Sequence, residues 1–231
     1  IFSYNLKKYL YSMSEKPDII YTGMPPHEPA IVIGKYAKKF NIPLIIDVQD
    51  LWPEAMRTVI DIPFISNILF YPVKRMANNV YSLADYIVGV SNEYVDRALE
   101  NNNNTKKHIA VYIGTFIEEF DKGSLQYFDS IEKENNEFWI IYIGTLGISY
   151  DIKTLILSYK KLYDRGYHNI KLKILGRGPS EDEFKNYAKS IDAKVDFLGY
   201  RGYGEMAAYL KKSDVAVNAL VARAAQSIIN K

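Results

Sequence analysis

The 231-residue sequence contains no cysteine, which excludes a disulfide framework and any thiolate-held metal or redox centre. Its three histidines, His27, His108 and His168, stand far apart, so a histidine-built metal cluster is not expected. An excess of one charge is also lacking. The 29 basic and 27 acidic side chains leave a net charge of +2, which argues against nucleic-acid binding through bulk charge. No apolar run reaches the roughly 18 residues of a membrane-crossing helix. The opening IFSYNLKKYLYSMSEKPDIIYTG lacks the layout of a secretion signal. A soluble, cytoplasmic chain is expected. There is no initiator methionine, and NALVARAAQSIINK stops in a helical pattern without a glycine, so both ends are expected to be truncated.

Hydrophobic residues supply 48 % of the chain, enough for packed cores. Short apolar runs recur at 18–22, 43–48, 86–90 and 109–114, then at 138–144, 170–176, 195–199 and 214–220. They are continuous rather than alternating, which predicts parallel strands covered on both faces. Helical patterns fall between them. Residues 152–163 carry an apolar face, 180–191 open with the capping pair Ser180 and Glu183, and 204–212 form a third amphipathic stretch. The alternation predicts an α/β protein of two Rossmann-like domains, their parallel sheets facing across a cleft. The boundaries are a first domain at 1–117, a polar interdomain connection at 118–137, and a second domain at 138–231.

Two glycine turns end strands in the second half, YIGTLGISYD and LGRGPSEDEF. Gly144 and Gly147 let a phosphate approach backbone amides, and Gly176 and Gly178 do the same for a ribose or base. Taken singly, each is more often a plain turn. Neither is a P-loop, and neither completes a dinucleotide fingerprint. In the first half, DVQDLWPEA puts Asp50 at a strand's carboxyl end, where it is either a site residue or a helix cap. Trp52 is core or a sugar platform, and Glu54 complements a helix dipole or meets a ligand. His27 and Glu28 follow another strand, His27 as an acid–base group or a solvated loop residue. Residues 62–85 mix Phe64, Ile65, Ile68, Leu69 and Phe70 with Lys74 and Arg75. That pattern fits an interfacial helix on anionic lipid or a core helix broken at Pro72.

The ordered pieces IYIGTLGISYDIKTLI, LKILGRGPSEDEFKNYA, VDFLGYRGYGEMAAYLKKSDVAVNAL and QSIINK resemble the donor domain of retaining GT-B glycosyltransferases of family 4. KPDIIYTGMPPHEPAIVIGKYAKKFNIPLIIDVQDLWPEA and YIVGVSNEYVDRAL resemble the acceptor domain of the bacterial branch that builds capsule and O-antigen polysaccharides, including its lipopolysaccharide enzymes. The resemblance implies a retaining hexosyl or N-acetylhexosaminyl transferase. It would move a sugar from a nucleoside diphosphate, UDP favoured, to a lipid-linked glycan, without cofactor or metal. The resemblance further implies peripheral attachment at the inner face of the cytoplasmic membrane through residues 62–76. It assigns Asp50 and His27 to catalysis and Trp52 and Glu54 to the acceptor. Gly144, Thr145, Gly147, Tyr150, Gly176, Arg177, Gly178, Gln226, Ser227 and Lys231 fall to the donor.

Departures are visible. Thr145 and Tyr150 stand where many relatives place Arg and Lys on the diphosphate, Gln226 replaces the first of two glutamates, and Gln49 occupies a histidine position. Charge compensation then falls to backbone amides, Arg177 or Lys231. Two alternatives share the fold: a UDP-sugar 2-epimerase that needs no acceptor, and a non-catalytic scaffold. An NAD oxidoreductase is the weakest reading.

Overall fold

The computed structural model describes residues 1–58, 62, 64–103 and 107–221. They fall into two compact units, one within Ile1–Ile113 and one beginning at Gly114. In the first unit, β1 (Ile20–Met24), β2 (Leu44–Val48), β3 (Tyr86–Gly89) and β4 (His108–Ala110) lie side by side in chain order, all parallel. The helices α1 (Phe2–Ser12), α2 (His27–Phe40), α3 (Ile65–Leu83) and α4 (Asn92–Leu99) pack on one another in the same order. Parallel strands in chain order with right-handed crossovers place every connecting helix on one face of the sheet. Met24, Leu44, Ile46, Val48 and Ile87 are accordingly buried together with Ala37, Ala77, Val80 and Tyr81.

The opposite face differs from the expectation of strands covered on both sides. In β2 only alternate residues are buried, Ile45 and Asp47 are half-buried, and Tyr21 and Ile109 on that face are exposed. One further expectation changes. The helix α3 runs through Pro72 instead of breaking there. Beyond α4, Asn102 is buried, its Nδ2 donating to the carbonyls of Tyr81 (2.6 Å) and Ala84 (3.0 Å).

In the second unit, β5 (Phe138–Ile143), β6 (Ile170–Leu175), β7 (Val195–Gly199) and β8 (Val215–Ala216) form a parallel sheet in the order β7-β6-β5-β8. Both faces are covered here. Tyr142, Leu172 and Ile174 pack under α6 (Ile152–Asp164) and α7 (Glu181–Ser190). Trp139 packs with Ala208 of α8 (Tyr203–Lys212) and Ile131.

The stretch 118–137, expected as an irregular connection, contains most of α5 (Ile117–Phe128), which packs against α8 within the second unit. That packing uses small residues. A Cβ placed on Gly123 would lie 2.9 Å from the Gly204 Cα, and Ser124 is the buried residue of α5. The small residues sit between aromatic ones on the docked face, Phe120 meeting the Tyr203 ring at 6.4 Å and Tyr127 lying against Gly204.

Candidate functional site

Ligands of open α/β sheets bind beyond the carboxyl ends of the strands. At that end of β5, β6 and β7 the second unit has a pocket of about 400 Å³, in the size range of small-molecule sites. Gly144, Thr145, Gly176 and Arg177 line it from the turns after β5 and β6, and Tyr200, Arg201, Tyr203 and Met206 line it from the segment after β7.

The two glycine turns are braced against each other. The N–H of Gly144 donates to Leu175 O (3.0 Å), that of Leu146 to Arg177 O (3.0 Å) and that of Ser180 to Leu146 O (2.9 Å). This crossing explains two of the glycines. A Cβ at Gly176, where φ is +139°, would sit 1.8 Å from Gly144 O, and one at Gly178 would sit 2.2 Å from Leu146 O. Gly178 is therefore required by close backbone approach, and it is not among the residues lining the pocket. Gly147 differs, because nothing lies closer to its Cβ position than the Thr145 methyl at 3.8 Å. Among the described residues, the N–H groups of Thr145, Gly147 and Ile148 donate to no backbone carbonyl.

The glycine turn does not itself open a helix. The helix α6 begins at Ile152, and the Asp151 side chain accepts from the Thr154 N–H (3.2 Å). The first turn of α7 holds Glu181, Asp182 and Glu183. Both helix termini already carry carboxylates, so anion binding in this pocket falls to loop amides and guanidinium groups. Arg201 is tied to Leu198 O (3.0 Å) and to Glu205 (3.0 Å). Arg177 reaches over Gly199, its Nε 3.9 Å from a Cβ placed there, and remains exposed at the pocket. Tyr150 turns away, its ring 6.0 Å from that of Tyr142 in an edge contact. Gln226, Ser227 and Lys231 lie outside the described residues.

In the first unit, the residues expected at a site gather at the carboxyl ends of β1 and β2. His27 begins α2 and is only 2 % exposed, so it is not a solvated loop residue. Burial lowers its pKa, opposed by the charges of Glu28 and Glu54, and its Nε2 has no protein hydrogen-bond partner. The His27 ring stands 6.0 Å from that of Trp52. Asp50 caps no helix. Its Oδ1 accepts from the Leu51 N–H (2.8 Å) and its Oδ2 from the Trp52 indole N–H (3.1 Å), so it holds the Trp52 turn. Gln49, at the histidine position, donates to Asp47 (3.0 Å).

Glu54 meets a residue that the sequence left unremarked. Arg97 of α4, 11 % exposed, donates through Nε to Glu54 Oε1 at 2.7 Å and through Nη2 to Asn78 of α3 at 3.1 Å. Its guanidinium carbon lies 5.5 Å from the Tyr81 ring centre. Burial raises the Tyr81 pKa, with the Arg97 charge working against it. Glu54 Oε2, Tyr81 Oη, Ser91 Oγ and Arg97 Nη1 are buried without protein hydrogen bonds. The sequence reading singled out neither Tyr200, Arg201 and Tyr203, which line the pocket, nor Arg97 and Tyr81, which pack beside Glu54. The run GYRGY was a visible signal for the first three, since aromatic and basic residues follow a strand end there. Nothing in the spacing marks Arg97 or Tyr81. Among the described residues no group of three or more His, Cys, Asp or Glu is arranged to hold a metal.

Two α/β units, each a parallel sheet with helical crossovers, one with a pocket at its strand ends, define a protein of GT-B architecture. Residues 124–220 match the family described as Glycosyl transferases group 1. The chain is similar in structure to Anabaena Alr3699/HepE in complex with UDP, at 13 % identity and a TM-score of 0.64, over 93 % of this chain and 55 % of that one. It is likewise similar to alpha,alpha-trehalose 6-phosphate synthase from Burkholderia multivorans, at 10 % identity and a TM-score of 0.63, over 96 % and 57 %. WaaG, a glycosyltransferase involved in lipopolysaccharide biosynthesis, aligns at 10 % identity and a TM-score of 0.58, over 90 % and 64 %. No curated protein matches the chain in sequence. The chain thus spans little more than half the length of the first two structures, 55 % and 57 %. These likenesses show the fold, and the family match is confined to residues 124–220.

Proposed function

We propose that the chain belongs to a retaining sugar transferase that binds a nucleoside-diphosphate sugar, UDP favoured, in the second unit. The acceptor, a lipid-linked glycan, meets Asp50 and Trp52 of the first unit, with the catalytic candidate His27 buried beside Trp52. The observation that carries the reading is the pocket beyond β5, β6 and β7, lined by Thr145, whose N–H meets no backbone carbonyl, and by the exposed Arg177. Amides and a guanidinium group are the chemistry a diphosphate needs, and the rings of Tyr200 and Tyr203 suit a base. HepE is described with UDP and with UDP-glucose, which supports a uridine nucleotide. WaaG and the galactosyltransferase WaaB are described as lipopolysaccharide enzymes. They support a role in lipopolysaccharide synthesis; the capsule or O-antigen branch, a transferred hexose or N-acetylhexosamine and the cytoplasmic face of the membrane are part of the same proposal.

In the reaction the bond from C1 to the diphosphate breaks, the acceptor oxygen bonds to C1, and its proton passes to the departing phosphate oxygen. Arg177 and the loop amides screen the charge that develops there, so the reading needs no metal. Asp50 keeps Trp52 in place as a platform, the buried His27 packs beside it, and Glu54 braces the turn through Arg97.

The test is a thermal-shift titration with UDP, GDP and ADP on wild type and Arg177→Ala. At a hundred times its dissociation constant, UDP stabilises the fold by about 2.7 kcal/mol. Arg177→Ala keeps the unliganded melting temperature and binds UDP about tenfold more weakly. A flat response to every nucleotide refutes the donor site.

A further inference from the structure

Tyr142 of β5 is only 1 % exposed and packs in the core under α6 and α7. A phenylalanine would fill that core as well, and a buried hydroxyl costs stability unless it is bonded. Here it is bonded, the Oη donating to Thr145 O at 2.9 Å. It also lies across Gly144, where a Cβ would stand 2.8 Å from it. Burial raises the pKa of the phenol, and Tyr150 adds to the shift, so the group stays a donor through the neutral range.

A trans peptide group points its C=O and its N–H in opposite directions. The plane that joins Thr145 to Leu146 is held at both ends, its carbonyl by Tyr142 and its N–H by Arg177 O at 3.0 Å. In the preceding plane Gly144 O faces Gly176, where a Cβ would meet it at 1.8 Å, so the Thr145 N–H points the other way. That N–H meets no backbone carbonyl, and Thr145 and Arg177 both line the pocket. A single hydroxyl therefore steadies the Thr145 amide through its own residue, and Arg177 through the carbonyl to which Leu146 donates.

We propose that Tyr142 is a positioning residue of the donor pocket, its hydroxyl setting the Thr145 amide and Arg177 for the diphosphate. The inference rests on the donor reading above. The base lies with Tyr200 and Tyr203, which come from the segment after β7, so the hydroxyl acts on the diphosphate alone.

Titration of wild type, Tyr142→Phe and Gly144→Ala with UDP by calorimetry, and with uridine by NMR, separates the two halves of the ligand. Tyr142→Phe binds UDP about fivefold more weakly, the worth of one neutral hydrogen bond, and binds uridine as wild type does. In the ligand-free chain its Leu146 amide exchanges faster, because one end of the peptide plane has been released. Gly144→Ala gives an independent reading should Tyr142→Phe melt early. Its Cβ would crowd Tyr142 first, so it too weakens UDP and spares uridine, and in the Tyr142→Phe background it adds little. Equal loss of UDP and uridine would mean that the phenol only packs the core, and overturns the inference. Full additivity of the two substitutions does the same. A wild type that ignores UDP refutes the donor reading and this inference with it. A wild type that binds UDP no better than Tyr142→Phe refutes this inference alone.

Discussion

Two glycines that look alike in sequence do different jobs. Gly178 lets the backbone of Leu146 pass, and its Cβ would meet a carbonyl oxygen that is fixed by the Ser180 N–H. Gly178→Ala is therefore expected to cost about 3 kcal/mol, read from urea unfolding. Gly147 faces open space, so Gly147→Ala is expected to stay within about 0.5 kcal/mol of wild type. Gly147→Val should likewise fold, yet lose the UDP-induced thermal shift, because its side chain stands beside the unspent amides. His27 carries a pH prediction. Burial lowers its pKa from 6.5, so on acidification the unfolded chain takes up the proton before the folded one. Stability is then complete above about pH 6.5 and falls below it. A plot of melting temperature against pH from 7.5 to 5, roughly spanning that pKa, should slope down for wild type and flatten for His27→Gln.

At the scale of elements, the turn after β2 is held by a strut that joins three segments. Glu54 in the turn meets Arg97 on α4, and Arg97 also donates to Asn78 on α3. Both partners are more buried than a surface pair, so the loss of one leaves the other charged and poorly solvated. Arg97→Ala is expected to cost about 2–3 kcal/mol, between the surface and fully buried cases. Adding Glu54→Ala should recover part of that loss in a double-mutant cycle. Full additivity would mean that the two groups act separately. Elements with an apolar stripe were readable from sequence: α6, α7 and α8 begin and end within about a residue or two of their patterns. The helix α5 was not, because its docked face mixes Phe120 and Tyr127 with Gly123 and Ser124 in a polar stretch.

For the whole molecule, the pocket belongs to one unit, which the matched segment 124–220 largely spans. Hydrogen exchange should therefore slow on UDP binding in the turns after β5, β6 and β7. Protection confined to 50–54 and α2 would move the nucleotide to the first unit. Most of the fold was legible, since each strand lay within or close to an apolar run. Of the candidate site, the glycine turns were legible: Gly144, Thr145, Gly176 and Arg177 line the pocket, while the 6.0 Å approach of His27 to Trp52 was not.

By itself the sequence determined the alternation of strands and helices, the places where backbone must turn, and the absence of thiol chemistry. Those properties depend on neighbours a few residues apart, through side-chain periodicity and the steric freedom of glycine. Only the tertiary structure decided which glycine is packed and which is open, that α3 shows its apolar stripe to solvent, and that Arg97 meets Glu54 across 43 residues. Such pairings arise when sheets and helices close on one another, and no local pattern encodes the distance between them.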